Sequence, residues 1–214
     1  MADTSTAQTG PAAPSIAEVH AALTAPGQMF ELEDVVVRGV PVKAWKNAPA
    51  SLRVLIENSR AHGDLDFLVF DATAAGGPPD PLDRLTFEQH YRAVATLAHR
   101  LVDHFGVQKG DRVSIAMRNF PEWSVAFWAA ASVGAVVVPL NAWWTGAELE
   151  YGLADSGTTI LFCDADRARR LEEHLPALGG LRHVVVAKPG TAALSHATDQ
   201  SLGLPRSHAH GRSA

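Results

Sequence analysis

The sequence predicts an α/β protein: an incomplete doubly wound, mostly parallel sheet with flanking helices, preceded by short antiparallel strands. Three observations carry that expectation. Four short β-branched runs, RVSIAM, VVVPL, TILFC and RHVVVA, fall between residues 112 and 187. Helical segments separate them in turn: PEWSVAFWAAASVG, TGAELEYGLADSG and ADRARRLEEHLPAL. The runs are apolar almost throughout, as strands covered on both faces must be, and strand-helix-strand repetition is the pattern of a parallel sheet. Right-handed crossovers are expected between them.

The remaining elements follow in chain order. Residues 1–14 are small and polar and are expected to be disordered. Ser15 and Glu18 have capping-box spacing and open a short helix through Leu23, which Pro26 and Gly27 stop. ELEDVVVRGVPVKAW reads as two short strands meeting at Arg38-Gly39, with Pro41 pointing to an edge position. Ser51 opens a second helix, SLRVLIENSRAHG, with Leu52, Leu55, Ile56 and Ser59 on one side. DFLVF is a strand, DATAAGGPPDPLD a loop containing the GGPP run at 76–79, and RLTF a returning strand. Thr86 and Gln89 form a second capping box. Phe87, Tyr91, Val94, Leu97, Leu101 and Phe105 then recur at three- and four-residue steps, giving a long amphipathic helix that Gly106 ends.

Residues 123–140 carry no charge and are long enough to raise the question of a membrane span. Gly134 divides them into an Ala/Trp/Phe-rich half and a β-branched half, and Pro139 closes the second. A buried helix followed by a buried strand is the expectation, with no transmembrane segment. After Lys188 the rhythm stops, and 189–214 reads as an irregular tail.

Composition limits the function. Hydrophobic residues make up 47% and charged residues 19%, the balance of a globular protein. A formal charge of −5 leaves no basic footprint for nucleic acid or anionic membrane. Cys163 is the single cysteine, so no internal disulfide can form. MADTSTAQTGPAAPS lacks the basic flank and apolar stretch of a secretory signal, and the cytoplasm is expected.

Each candidate for chemistry has an ordinary reading beside it. A phosphate loop needs backbone N–H groups at a helix N-terminus and a neighbouring Lys. In DSGTTILFCD, residues 155–164, the Gly follows a helix, no Lys follows and the next residues are strand-like, so Gly157 reads as a helix C-cap. His99, Asp103 and His104 share a helix but lie opposite Leu97 and Leu101, as a solvated face would. His208 and His210 sit in the tail without a scaffold. Arg167, Arg169 and Arg170, answered by Glu172 and Glu173, read as an exposed charged face. Cys163 reads as an inert buried thiol. Asn119 and Asn141, at strand ends, border any crevice there but suit turns and caps better. Trp123, Phe127, Trp128, Trp143 and Trp144 are read as core packing. No residue is assigned a catalytic, cofactor-binding or metal-ligating role.

The run from LTFEQHYRAV to DADRARRL resembles the N-terminal part of the AMP-forming acyl-CoA synthetases, the adenylate-forming ligase superfamily. KGDRV, RNFPEW, GAVVVPLN and ELEYGLADSG carry the resemblance in order and spacing, and FELEDVVVRGVPVKAWKNAPASLR extends it back, so it covers roughly residues 15–188. Such enzymes join a carboxylate to CoA through an acyl-adenylate, using ATP and Mg²⁺ and releasing AMP and pyrophosphate. The resemblance implies a partial N-terminal domain over 15–188. The family's Gly-x-Pro-Lys phosphate loop, its adenine- and ribose-binding segments and its C-terminal lid are not found in this sequence. The expectation is a truncated fatty-acid-CoA ligase, an ATP-dependent acid-thiol ligase by family and not competent alone, with self-association or a C-terminal synthetase fragment as possible partners. The alternative is a non-catalytic interaction module that docks on or complements another synthetase chain.

Overall fold

A computed structural model describes residues 13–71 and 83–187, and the chain divides into two compact units, residues 1–50 and 51–214. The expectations for residues 1–12, for GGPP and most of its loop, and for the tail with His208 and His210 lie outside the described residues.

In the first unit, helix α1 (Ile16–Thr24) begins at the expected capping box, where the Glu18 carboxylate accepts from the Ser15 N–H at 2.7 Å. Strands β1 (Leu32–Val37) and β2 (Val40–Trp45) pair antiparallel with Val37 opposite Val40. Only Arg38 and Gly39 turn the chain, at φ of 50° and 84°. Positive φ at both central residues is what a two-residue hairpin turn requires.

The second unit opens with α2 (Leu52–Ser59), followed by a 3₁₀ turn at Arg60–His62. Ile56 alone is buried on this helix. Leu52 and Leu55 remain 45% and 42% exposed, so the expected apolar side is narrower than its spacing suggested. Strands β3 (Asp66–Phe70) and β4 (Asp83–Thr86) pair antiparallel. RLTF ends as a strand at Thr86 because Thr86 is already the N-cap of α3 (Phe87–Asp103), its hydroxyl accepting from the Gln89 N–H at 3.2 Å. Gly106 follows the helix at φ 65°.

Beyond α3 the chain alternates as expected: β5 (Arg112–Ala116), α4 (Pro121–Ser132), β6 (Val136–Pro139), α5 (Gly146–Ser156), β7 (Ile160–Asp164), α6 (Ala165–Leu171) and β8 (His183–Ala187). Residues 123–140 are therefore a helix and a strand, and among the described residues no helix is long and apolar enough to cross a membrane. The last helical segment is shorter than ADRARRLEEHLPAL suggested. It stops at Leu171, and Leu175–Ala177 forms a separate 3₁₀ turn around Pro176, which has no N–H to continue an α-helix.

All four strands are parallel, in the order β6-β5-β7-β8. The strand order thus runs one way from β5 to β6 and the other way from β6 to β8. A constant crossover hand then requires the helices to change face, and they do. Val113, Ile115, Ile160, Phe162 and Val185 pack with α3 and α4 on one face, while Leu161, Cys163 and Val186 pack with α5 and α6 on the other. The alternation along β7 divides its buried residues between two cores, and all five are buried.

α5 and α6 meet without space for a side chain at Gly146. A Cβ there would overlap the Arg170 carbonyl oxygen and the His174 ring. The His174 ring, hydrogen-bonded to Glu150 at 2.6 Å, could turn away, but the carbonyl belongs to the backbone of α6. Gly146→Ala should therefore lower stability by about 1–3 kcal/mol through overpacking. An unchanged thermal midpoint in this variant would contradict the close approach.

Candidate functional site

The Ser-Gly-Thr-Thr run of 156–159 has its hydrogen-bonding groups committed to the fold. Gly157 is the left-handed C-cap of α5 at φ 63° and ψ 41°, and its N–H donates back into the last turn. The Ser156 hydroxyl donates to the Gly152 carbonyl at 2.7 Å, and Thr158 shares hydrogen bonds with Ser114 at 2.5 Å and Ser156 at 2.7 Å. Arg112 donates to the carbonyls of Ser156 at 3.1 Å and Gly157 at 2.8 Å, neutralising the negative end of the helix. The run caps a helix and seats a strand.

In a doubly wound sheet, ligands gather outside the carboxyl ends of the strands where the strand order reverses, which here is between β5 and β7. Asp164 closes that position. Its carboxylate accepts from the Arg118 N–H at 3.0 Å, at the end of β5, and from the Arg167 N–H at 3.0 Å as the N-cap of α6. Arg167 returns its guanidinium to the same carboxylate at 3.0 Å and donates through Nε to the Ala142 carbonyl at 2.6 Å, in the loop after β6. Asp164 and Arg167 are 5% and 4% exposed. Three strand ends are tied by one buried ion pair.

This corrects the reading of Arg167 as part of an exposed charged face. Arg169 is exposed as expected, although the carboxylate beside it, at 3.4 Å, is that of Asp166 and not of Glu172 or Glu173, whereas Arg167 is drawn inward by the acceptors of Asp164 and Ala142. Arg170 is half-buried and donates to the Trp144 carbonyl at 2.9 Å. Trp143 is also corrected. It is 70% exposed, with the Arg118 guanidinium 5.2 Å from its ring centre, while Trp123, Phe127, Trp128 and Trp144 pack against the cores as expected. Asn141 accepts from the Trp143 N–H at 2.9 Å and so builds the turn; Asn119 is exposed at the same edge.

The edge does not suit a phosphate. The helix N-termini of α4, α5 and α6 carry Glu122, Glu148 and Asp164 in their first turns or caps. Hydrogen bonds from the Thr145 backbone and hydroxyl hold the Glu148 carboxyl below its usual range, so it stays anionic. Carboxylates occupy the positions that an anion would need. Among the described residues no group of three or more His, Cys, Asp or Glu gathers that could hold a metal ion. His99, Asp103 and His104 all lie on the exposed side of α3. Cys163 is fully buried, and that burial pushes its thiol pKa well up, so it is inert as a nucleophile.

One buried polar residue escaped the sequence reading. His90 is 1% exposed, packs on the Phe67 ring at 4.7 Å, and shares a hydrogen bond with Ser124 of α4 at 3.0 Å. Its spacing from Phe87, Val94 and Leu97 puts it on the apolar stripe, which was the available signal.

The family model for AMP-binding enzymes matches residues 56–209. The chain belongs to the AMP-binding enzyme family. Among curated relatives, the acyl-CoA ligase sidI of Aspergillus fumigatus is 32% identical over 170 residues, covering 73% of this chain and 27% of that protein. A long-chain-fatty-acid–CoA ligase of Yersinia pestis is 31% identical over 152 residues, covering 69% and 27%. Among solved structures, the Mycobacterium tuberculosis fatty acyl CoA synthetase superposes with a TM-score of 0.54 at 25% identity, over 64% of this chain and 26% of that one. The inhibitor-bound N-terminal domain of FACL13 from the same organism gives 0.54 at 25%, covering 64% and 33%. This AMP-binding chain thus spans about 27% of the length of the curated relatives it matches. The likeness confirms an acyl-CoA-synthetase-like α/β region, with the parallel sheet and the short antiparallel pairs where the sequence placed them.

Proposed function

We propose that the chain is the N-terminal α/β portion of a fatty-acid–CoA ligase whose full reaction converts a carboxylate, ATP and CoA into acyl-CoA, AMP and pyrophosphate. By this reading the 214 residues supply a scaffold, and ATP, Mg²⁺ and CoA are held by the rest of the ligase. The observation that carries it is the acidic guard on the strand ends: Glu122, Glu148 and Asp164 stand at the helix N-termini where a nucleotide phosphate would otherwise dock. The domain limits remain 15–188 and the compartment the cytoplasm in this proposal. Isothermal titration of the 214-residue chain with Mg-ATP should give only heats of dilution. A saturable heat would assign phosphate binding to the chain itself.

A second reading, an interaction module that docks on or complements another synthetase chain, draws support from the sheet edges. β6 and β8 each pair on one side only among the described residues, and Val136 of β6 is 50% exposed. Co-purification with a separately encoded ligase chain would favour it.

A further inference from the structure

The outer helical layer contains a cleft of about 270 Å³ between α2, α3 and the end of α4. One stripe of α3 forms its long wall: Tyr91, Val94, Ala98 and Val102 recur at three- and four-residue steps, and all of them line it. Ile56 of α2 and Val133, just after α4, complete the apolar lining. Ile56 and Val94 are buried whereas Val102 is 47% exposed, so the apolar surface runs from a covered floor to an open rim. An apolar cavity of about 150 Å³ holds a benzene ring, and a ring-sized body therefore fits this cleft.

The charges of the lining do not balance. Two carboxylates, Glu57 and Asp103, face it against one guanidinium, that of Arg53. Arg53 donates to Glu57 at 2.8 Å, one turn along α2, and the carboxylate in excess is that of Asp103. Asp103 is exposed with its neighbour Val102 at the rim and is the last residue of α3, where the carbonyl end of the helix already carries partial negative charge. Among the described residues no ion pair reaches it, although Arg100 lies in the same turn. A helix C-terminus favours a cation and disfavours an acid, so this position gains from a cation brought by a ligand. An apolar wall ending in an unanswered carboxylate is complementary to an amphiphilic cation, its apolar body covered and its charge left hydrated at the rim.

We propose that the cleft between α2, α3 and α4 binds an arylalkylammonium cation, its ring on Val94, Ala98 and Val102 and its ammonium against the Asp103 carboxylate. The site lies on the helical layer and is independent of the ligase reading. The experiment titrates the full ¹⁵N-labelled chain with phenethylammonium and, separately, with its neutral counterpart phenethyl alcohol, following amide shifts. Saturable shifts should appear at residues of α2, α3 and the end of α4, with the cation binding about threefold tighter than the alcohol at low salt, the worth of an exposed ion pair. Molar salt should bring that ratio towards one by screening the pair. Asp103→Asn, a change at an exposed position, should equalise the two affinities while leaving the alcohol bound. Ala98→Leu, which fills the lining, should abolish both; if its spectrum shows an unfolded chain, Val102→Ser, which strips the apolar rim, takes its place and should weaken both alike. The proposal is overturned if the folded wild-type chain gives no saturable shift around the cleft, if cation and alcohol bind alike at low salt, or if the preference for the cation survives Asp103→Asn.

Discussion

Asp164→Ala should cost the protein about 3–5 kcal/mol, the range for removing one partner of a buried ion pair and leaving the other charge uncompensated. Arg167, 4% exposed, would keep its guanidinium in the core with only the Ala142 carbonyl and the exposed carboxylate of Asp166, 3.4 Å away, as acceptors. The same change removes the N-cap of α6 and the acceptor for the Arg118 N–H. Asp164→Asn keeps an acceptor for the two backbone N–H groups but not the charge, and should fall between wild type and Ala. Denaturant midpoints of the three proteins check the order. An Ala variant as stable as wild type would mean that the strand ends are held by something other than this clasp.

Acid should destabilise the protein through His90 well before its carboxylates are titrated. Burial holds the imidazole pKa down at about 4, against an ordinary value of 6.5, because a charged ring beside Phe67 cannot be hydrated. The neutral form is the one the fold binds. Its contribution is therefore complete above pH 6.5 and is lost as the pH falls from 6.5 towards 4, where the unfolded chain takes up a proton and the folded chain does not. The full loss is about 3 kcal/mol. Burial and the charges of Arg182 and His104 also lower the pKa of His183, which acts in the same direction, so a variant is needed to isolate His90. His90→Gln should flatten most of the fall in stability between pH 7 and pH 4.5. A profile identical to wild type would show that His90 already ionises within the fold.

The sequence made the fold legible where its determinants are local. Thr86 with Gln89, Ser15 with Glu18, and Gly157 before a β-branched run each act within a few residues, and each appears as read. The alternation of strands and helices needs only hydrophobic period and turn residues. The edge of the sheet was less legible because its contacts span long separations. Arg167 reaches an acceptor 25 residues away, at Ala142, and nothing in DRARR distinguishes the inward arginine from its outward neighbours. Trp143 and Trp144 are adjacent and chemically identical, yet one is exposed and the other packs against the core cluster that contains Leu149 and Leu153. Burial of that kind is decided by what the turn after β6 meets. His90 differs: it sat on a readable stripe, and a polar residue on an apolar face marks a buried hydrogen bond that could have been anticipated.

The claim that these residues form a ligase scaffold without its phosphate chemistry is tested most directly by pyrophosphate release. The purified 214-residue chain, with Mg-ATP, CoA and a panel of fatty and aromatic acids, should release pyrophosphate no faster than a protein-free blank. Acid-dependent release above that blank would contradict the account, because it would require a phosphate site that the acidic strand ends do not supply.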